Sequence, residues 1–383
     1  MEKIALEGGK PTSKHKIPIA KPIFDEKTIN DIADVLRSGY VRQGPKTKEF
    51  EDKFREATGA KYAYAVSSGT AALHTSYLSF LKPGDEVIVP AFTFFATAST
   101  VLYSNGRPVF ADSNPDTFLI DIEDVKEKLT NKTLAISPVH LFGNAANLKA
   151  LNELASDHKL LIVSDTCQAH GTKLRRKDIG SYDDLNCYSF YPTKSMTTGE
   201  GGIVTTNNEQ LDRLGRLIRS HGDGGRYNHV MLGLNYRMTD IAAAIGLNQL
   251  EKLPENLKLR RSHGKYLNEK ISKIEGLNPQ KREKYVTHSY SYFTLKLEPS
   301  EFKCGRDEFL EALRAENIDC AVHYPIPLTK QPAIINMLNP EECPVAEELS
   351  KNIFSIPMYP GLGKKELENI IAGLEKVTAH YGK

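Results

Sequence analysis

The sequence predicts an α/β protein: a large domain with a mostly parallel sheet covered by helices, and a smaller α+β domain at the C-terminus. Three observations lead to this prediction. Between residues 60 and 205, short β-branched apolar runs alternate with helical segments, which is typical of parallel strands joined by right-handed crossovers. The run Leu160-Leu161-Ile162-Val163 is apolar throughout, as expected for a central strand buried on both faces. After Gly202 the alternation ends.

The elements of the large domain follow from this alternation. Five strands are predicted from the apolar, β-branched runs, at residues 62–66, 86–90, 107–112, 133–138 and 160–165. The intervening segments have helical periodicity, which predicts helices at residues 70–81, 94–104, 122–129 and 148–158. The turn Lys82-Pro83-Gly84-Asp85 ends the first of these helices.

Beyond Gly202 the pattern changes to helices and irregular segments. Helices are predicted at residues 211–219, 238–253 and 254–273, with a glycine-rich loop at residues 221–225. Since the third of these helices is long and polar, we expect it to lead out of the large domain. This places residues 1–253 in the large domain and residues 254–383 in the small one. The small domain has an alternating strand at 290–297, a helix at 306–316 and a proline-rich segment at 324–332.

Composition and charge exclude several classes of protein. Fifty basic and 48 acidic residues leave a formal net charge of +2, which argues against binding to nucleic acid or to an anionic membrane surface. No run of about 18 apolar residues occurs, so no transmembrane segment is predicted. Residues 1–22 lack the apolar core of a signal peptide. A cytoplasmic protein is therefore expected.

The cysteines support the same expectation. The five cysteines are odd in number, widely spaced and without a C-x-x-C pair, which argues against a disulfide framework and against a zinc site. We expect no metal. Cys167 lies two residues after Asp165 without an evident base, so a small buried thiol is the better interpretation than a nucleophile.

The most informative segment runs from Ser189 to Gly202. It holds Lys194 between a Ser/Pro/Thr approach and a glycine-rich exit. Tight backbone on both sides would position the amine, and a positioned, partly desolvated amine is what Schiff-base formation with a carbonyl requires. Taken alone, however, the segment fits an ordinary solvated lysine better.

Three further candidate sites follow predicted strands, where ligands bind in open α/β sheets. Ser67-Ser68-Gly69-Thr70 suits either a phosphate at a helix N-terminus or an ordinary N-cap. Asp165 ends the most apolar strand and suits either a loop cap or a partner that keeps a pyridine nitrogen protonated. In Pro90-Ala91-Phe92-Thr93-Phe94, an aromatic ring either stacks on a cofactor or packs in the core.

The order of the four sites decides between these alternatives. A phosphate loop, an aromatic platform, a strand-terminal aspartate and then a lysine, with Ser189 five residues before it, is the order expected of a fold-type-I pyridoxal phosphate enzyme. Four independent coincidences in this order are improbable. The sequence therefore predicts that Lys194 anchors pyridoxal 5′-phosphate.

The same residues carry a resemblance to a known family. From about Ile17 to the C-terminus the chain resembles the DegT/DnrJ/EryC1/StrS sugar aminotransferases. The motifs that carry the resemblance are Ser68-Gly69-Thr70-Ala71-Ala72-Leu73, Gly84-Asp85-Glu86-Val87-Ile88-Val89-Pro90, Asp165-x-x-Gln168-Ala169-His170-Gly171, Thr193-Lys194 with Thr198-Gly199-Glu200-Gly201-Gly202, and Asn235-Tyr236-Arg237-Met238.

The resemblance implies a role for each matching residue. Lys194 would form the Schiff base and also move the proton between C4′ of the cofactor and the substrate carbon. Asp165 would pair with the pyridine nitrogen. The other implied cofactor contacts are Gln168 and Phe94 at the ring, Gly69, Thr70 and Ser189 at the phosphate, and Asn235 of a partner subunit completing the phosphate site in a homodimer. His323 and Tyr324 fall in a variable substrate-facing loop, and His140, His170 and His221 are interpreted as structural.

The resemblance also implies the reaction. The expected enzyme transfers the amino group of L-glutamate to a keto group of a nucleotide-linked sugar. Lys194 argues against the related sugar dehydratases, which carry histidine at this position. The string Asn235-Tyr236-Arg237-Met238 favours amination at C4, of a 4-keto-6-deoxyhexose, over C3. Two alternatives stay open: an aminotransferase acting on a keto-cyclitol of the scyllo-inosose type, and a regulatory protein of the same fold without catalysis.

Overall fold

A seven-stranded sheet forms the centre of the computed structural model, which describes residues 2–383. Its strand order is β1-β9-β8-β5-β4-β2-β3. Its strands are β1 (Tyr62–Val66), β2 (Glu86–Pro90), β3 (Arg107–Ala111), β4 (Thr133–Ile136), β5 (Leu161–Asp165), β8 (Leu185–Ser189) and β9 (Gly202–Thr206). Only β9 runs against the others, pairing antiparallel with both β1 and β8 within the described residues. The prediction of a mostly parallel sheet is therefore confirmed.

Helices cover this sheet and continue to the C-terminus. They are α1 (Glu26–Ser38), α2 (Pro45–Thr58), α3 (Gly69–Leu78), α4 (Ala96–Tyr103), α5 (Ile122–Glu127), α6 (Leu148–His158), α7 (Glu209–Arg219), α8 (Asp240–Ile271), α9 (Arg306–Ala315), α10 (Pro332–Met337), α11 (Pro344–Asn352) and α12 (Lys364–Tyr381). None of them, over residues 2–383, is both long enough and apolar enough to span a bilayer.

The five strands predicted in the large domain agree with the observed ones to within two residues, whereas the strand predicted at 290–297 begins three residues later, at Phe293. The apolar segment predicted as the central strand is β5, the fourth strand in the sheet order. Strand β8 was not predicted, because polar Asn186 and Ser189 interrupt its apolar pattern. The loop from β8 to β9 is only twelve residues long and contains Lys194, so β9 returns antiparallel without the helix that a parallel crossover needs.

The helix break predicted at Pro254 is wrong. The helices expected at 238–253 and 254–273 form a single helix, α8, with Pro254 inside it. An internal proline costs about 3 kcal/mol through its missing N–H and its ring. Burial compensates, because Leu253 and Leu257 on this helix pack into the apolar cluster beneath the sheet. The domain boundary between residues 253 and 254 stays a prediction.

A second sheet organises the C-terminal part of the chain. Strands β10 (Leu277–Pro279), β12 (Phe293–Leu297) and β13 (Ile353–Ile356) pair antiparallel in the order β10-β12-β13. A third, small sheet has the order β11-β6-β7, with β6 (Lys173–Leu174), β7 (Lys177–Asp178) and β11 (Val286–Thr287). Ile4 and Ile17 are buried in the same core as β12, α9 and α12, so the N-terminal segment packs against the C-terminal sheet.

Candidate active site

A cavity of about 600 Å³ lies at the carboxyl ends of β1, β5 and β8. The sheet register explains this position, since Val66 and Ser189 both pair with Gly202 and thus lie level across three strands. Seven of the eight predicted cofactor residues line the cavity, namely Gly69, Thr70, Phe94, Asp165, Gln168, Ser189 and Lys194. Their roles are predictions, but the fold brings them to one place.

The first wall of the cavity is the N-terminus of α3. Ser68 caps this helix, its Oγ accepting a hydrogen bond from the Ala71 amide at 3.0 Å. The amides of Gly69 and Thr70 begin the helix and have no intrahelical acceptor, so they are available to an anion. A Cβ on Gly69 would lie 2.6 Å from the Cβ of Ser189, which leaves room only for glycine. This geometry fits the phosphate of pyridoxal phosphate.

The glycines that follow Lys194 allow the close packing around the N-terminus of α3. A Cβ on Gly202 would lie 2.3 Å from the carbonyl oxygen of Ser68. Gly202 therefore lets the phosphate loop approach β9 closely. Gly199 adopts a left-handed backbone with φ of 81°, which allows the chain to turn back towards β9 after Lys194.

Replacing Gly69 by alanine is expected to weaken cofactor binding. The added methyl group overlaps Ser189, so either the helix start or the serine must move away from the phosphate. We expect the dissociation constant of pyridoxal phosphate to rise at least about tenfold, the equivalent of roughly 1.4 kcal/mol. An absorbance titration of the apoenzyme measures it. Gly305→Ala is the control, because its Cβ would meet no atom within 4 Å; equal affinity in Gly69→Ala and wild type would contradict the assignment.

Asp165 forms the floor of the cavity. Its side chain is 5% exposed, with Oδ2 accepting from Thr97 Oγ1 at 2.9 Å and Oδ1 accepting from the Cys167 amide at 3.1 Å. These partners orient the carboxylate but supply no positive charge, and within residues 2–383 it forms no salt bridge. Because a buried carboxylate is stabilised most by a positive charge beside it, Asp165 fits the protonated nitrogen of the pyridoxal ring.

Lys194 is held by a tightly bonded loop. The Lys194 amide donates to the Tyr191 carbonyl at 2.9 Å, and the Phe190 amide donates to the Gly201 carbonyl at 2.9 Å, closing the base of the loop. The neighbouring Thr193 Oγ1 lies 2.7 Å from the hydroxyl of Tyr292. The Lys194 side chain is half-buried at the cavity wall. The backbone thus positions the amine, as the sequence predicts.

Two neutral histidines lie near this amine. Burial, and then the positive charge of Lys194, lower the pKa of His170 to about 3 and that of His323 to about 4. Both imidazoles are therefore uncharged at neutral pH. His323 lines the cavity and packs against Tyr292 at a tilt, with ring centroids 4.5 Å apart, whereas His170 is fully buried against Tyr188.

Gln168 connects the cavity to the loop that carries Tyr324. Its Oε1 accepts from the Phe142 amide at 2.9 Å, and its Nε2 donates to the Tyr324 hydroxyl at 2.8 Å. Phe94 is 55% exposed at the cavity mouth, with its ring 6.0 Å from that of Tyr324. Gln168 and Phe94, the two residues predicted to contact the cofactor ring, thus both lie on the cavity wall. Burial raises the pKa of Tyr324, so its hydroxyl stays protonated.

Several residues at the site were not predicted. Thr97 donates a hydrogen bond to Asp165, which lies 68 residues away in the sequence. Tyr292 forms a hydrogen bond with Thr193 in the loop of Lys194, 99 residues away. No local motif marks either residue. Cys167 lines the cavity, and burial raises the pKa of its thiol, which agrees with a thiol rather than a thiolate nucleophile.

Asn235 is the predicted site residue that the cavity does not include. Its side chain is exposed, and its backbone forms a bridge with Ser220. The next residue, Tyr236, lies beside the phosphate loop, where its carbonyl accepts from the Ser67 amide at 2.8 Å. Asn235 is therefore close to the phosphate loop in the fold but directed to the surface. Residues 2–383 contain no cluster of three side chains that could bind a metal.

Comparison with known proteins agrees with this geometry. The profile of the DegT/DnrJ/EryC1/StrS aminotransferase family matches residues 22–375. The UDP-2-acetamido-2-deoxy-3-oxo-D-glucuronate aminotransferase of Pseudomonas aeruginosa is 33% identical, over 91% of this chain and 95% of its own length. A GDP-perosamine synthase of Caulobacter vibrioides is 33% identical, over 94% and 98% respectively.

A solved structure shows the same fold. DesV of S. venezuelae, crystallised with a ketimine intermediate, superimposes with a TM-score of 0.90 at 30% identity, covering 95% of this chain and 99% of that one. The prediction of a fold-type-I enzyme is confirmed. The chain belongs to the DegT/DnrJ/EryC1/StrS aminotransferase family and is an aminotransferase that uses pyridoxal phosphate.

Proposed function

We propose that the enzyme transfers the amino group of L-glutamate to a keto group of a nucleotide-linked sugar, at C4 of a 4-keto-6-deoxyhexose. One observation carries the proposal: Lys194, the buried carboxylate of Asp165 and the N-terminus of α3 all line one cavity. The relatives named above act on, or are named for, nucleotide-linked sugars. Glutamate as donor rests on the family resemblance.

The side chains divide the work of the reaction. Pyridoxal phosphate, when bound, supplies an electron sink for the charge that develops at the amino-bearing carbon. Asp165 keeps the ring nitrogen protonated, and Thr97 orients that carboxylate. Gly69, Thr70 and Ser189 hold the phosphate, while Phe94 and Gln168 hold the ring. With the cofactor bound, Lys194 Nζ would move the proton between the substrate carbon and C4′, in one direction with glutamate and in the opposite direction with the keto sugar.

The position of amination has its own test. The string Asn235-Tyr236-Arg237-Met238 supports C4. A relative named for a 3-oxo sugar is as similar to this chain as the perosamine synthase. A substrate panel of 4-keto and 3-keto nucleotide sugars and keto-inositols, each with glutamate or glutamine, separates the alternatives. Turnover restricted to the 3-keto sugars would overturn the C4 proposal, and turnover restricted to keto-inositols would favour the keto-cyclitol enzyme.

We also propose that the enzyme is a homodimer in which Asn235 of the partner subunit completes the phosphate site. The exposure of Asn235, and its position next to the phosphate loop, support this proposal. Large apolar side chains are exposed nearby on the loop that precedes it, with Tyr227 at 90% and Leu232 at 95% exposure. Such side chains are typical of a surface that a partner covers.

Mixing two inactive variants tests the shared site. Asn235→Ala and Lys194→Ala are each expected to be inactive alone. In a mixed dimer, one of the two sites regains both native residues, so random reassociation should restore about a quarter of wild-type activity. Activity assays after joint refolding measure the recovery. No recovery, with mixed dimers demonstrated by mass spectrometry, would contradict a site shared between subunits.

A cytoplasmic location is part of the same proposal. All five cysteines are free thiols in the structure. Free thiols of this number are typical of a reducing compartment.

A further inference from the structure

A second cavity, of about 100 Å³, adjoins Lys194. Its walls come from the N-terminal segment at residues 20–23, the lysine loop at residues 192–197 and the α8 helix. Of the predicted cofactor residues only Lys194 borders it. Its charge is unusual: besides Lys194, which the proposed function assigns to the cofactor, Lys21, Lys252 and Arg260 line it, and within residues 2–383 no carboxylate does.

Arg260 is the central group of this cavity. It is 4% exposed, and its Nη1 donates to the backbone carbonyls of Met358 at 2.8 Å and Tyr290 at 3.0 Å. Those carbonyls stabilise the guanidinium but carry no net negative charge. Its Nε is buried and finds no acceptor anywhere in residues 2–383. Burial lowers the pKa of Arg260 to about 10, so the side chain is nevertheless charged at neutral pH.

Ser195 adds a second unpartnered group. This serine follows Lys194 directly, is 5% exposed and lines the same cavity. Its Oγ is also buried without a hydrogen-bond partner in the described part of the chain. Arg260 and Ser195 thus each bring a buried donor without a partner to the same small cavity.

The charge balance indicates what ligand the cavity suits. Of Lys21, Lys252 and Arg260, only Lys252 has a carboxylate partner within residues 2–383, and that partner, Asp25, does not line the cavity. Water could satisfy the hydrogen bonds of Arg260 and Ser195 but would leave the buried positive charge uncompensated. A bound anion would accept these hydrogen bonds and would also compensate the positive charge. Since Lys21 and Ile23 on the wall are exposed, a small ion can enter from solvent.

We propose that this second cavity is a binding site for a small monovalent anion, either chloride or the carboxylate of a small acid. Arg260 Nε and Ser195 Oγ would donate hydrogen bonds to it, and Lys21 would add charge. Because the walls come from three separate parts of the chain, the bound anion would join the N-terminal segment, the lysine loop and α8. The expected effect is stabilisation of the loop that positions Lys194.

The test measures thermal unfolding of the pyridoxal-phosphate-loaded enzyme. Sodium chloride, sodium acetate and sodium gluconate are compared at constant ionic strength, with gluconate as the anion too large to enter. We expect a saturable rise in Tm with chloride, acetate or both, and the lower half-saturating concentration distinguishes a halide from a carboxylate ligand. Equal stabilisation by gluconate would overturn the proposal.

Variants and crystals locate the effect. Ser195→Ala should weaken the anion response about tenfold, as expected when a hydrogen bond to a charged group is lost. Lys21→Met should weaken it too, and since Lys21 is exposed, this variant should fold normally. Lys365→Met, at an 82% exposed side chain on α12, is the charge-matched control and should respond like wild type. In bromide-soaked crystals an anomalous peak is expected beside Arg260 Nε, or in acetate-soaked crystals the density of a carboxylate, and the absence of both would overturn the proposal.

Discussion

Lys194→Ala is expected to abolish transamination and the yellow colour of the purified enzyme. The variant loses both the amine that holds the cofactor and the base that moves the proton at the substrate carbon. General acid–base catalysis alone contributes up to about 10⁴-fold, so we expect turnover to fall by at least that order. The absorbance spectrum with added cofactor and the rate of amino transfer measure the two effects separately.

The matched control for this variant is an exposed lysine outside the cavity. Lys173 is exposed on the short β6 strand and does not line the cavity. Lys173→Ala should keep both colour and turnover. The assignment of Lys194 would be refuted by a Lys194→Ala enzyme with full turnover.

Asp165→Asn should give the second-largest effect. The amide is nearly isosteric and can still accept a hydrogen bond from Thr97, so the fold should persist. It cannot, however, keep the ring nitrogen protonated. Breaking a buried charge pair costs roughly 3–5 kcal/mol, which corresponds to a fall in kcat of roughly 100- to 3,000-fold if most of it is expressed in the transition state. Steady-state kinetics with saturating cofactor measure the change.

Asp183→Asn is the control for burial of a carboxylate. Asp183 is 3% exposed, and Ser164 Oγ donates to its Oδ2 at 2.6 Å, outside the cavity. Burial raises the pKa of Asp183 to about 7, so a neutral amide replaces a group that is already partly protonated at neutral pH. We expect near-normal turnover. If Asp165→Asn were equally active, the pairing of Asp165 with the ring nitrogen would be wrong.

The parts of the fold that local pattern controls could be predicted from the sequence. Strand β5 is recognisable because a doubly buried strand must be apolar throughout, and Asp165 is conspicuous as the charge at its end. Strand β8 escaped prediction because Asn186 and Ser189 obscure its pattern. The helix α8 continues through Pro254 because tertiary packing outweighs the local cost of proline, which no window of sequence reveals.

The residues of the candidate site also divide into those that a local sequence pattern reveals and those that depend on tertiary packing. Gly69 and Asp165 could be selected because they lie at the ends of predicted strands and so reach the same edge of the sheet. Lys194 could be selected because tight-turn residues flank it on both sides. Thr97 and Tyr292 could not, since their hydrogen bonds to the site join distant segments. The uncompensated charge of Arg260 is also a property of the folded chain alone, because it depends on which carboxylates the fold keeps away.

Transfer of ¹⁵N from labelled glutamate tests the central claim most directly. The enzyme, loaded with pyridoxal phosphate, is incubated with [¹⁵N]glutamate and a 4-keto-6-deoxyhexose nucleotide, and the sugar product is analysed by mass spectrometry and ¹H–¹⁵N NMR. We predict one ¹⁵N atom at C4 of the sugar, an equal amount of 2-oxoglutarate, and no label with Lys194→Ala. Unlabelled sugar after complete conversion of the cofactor by glutamate would contradict the claim.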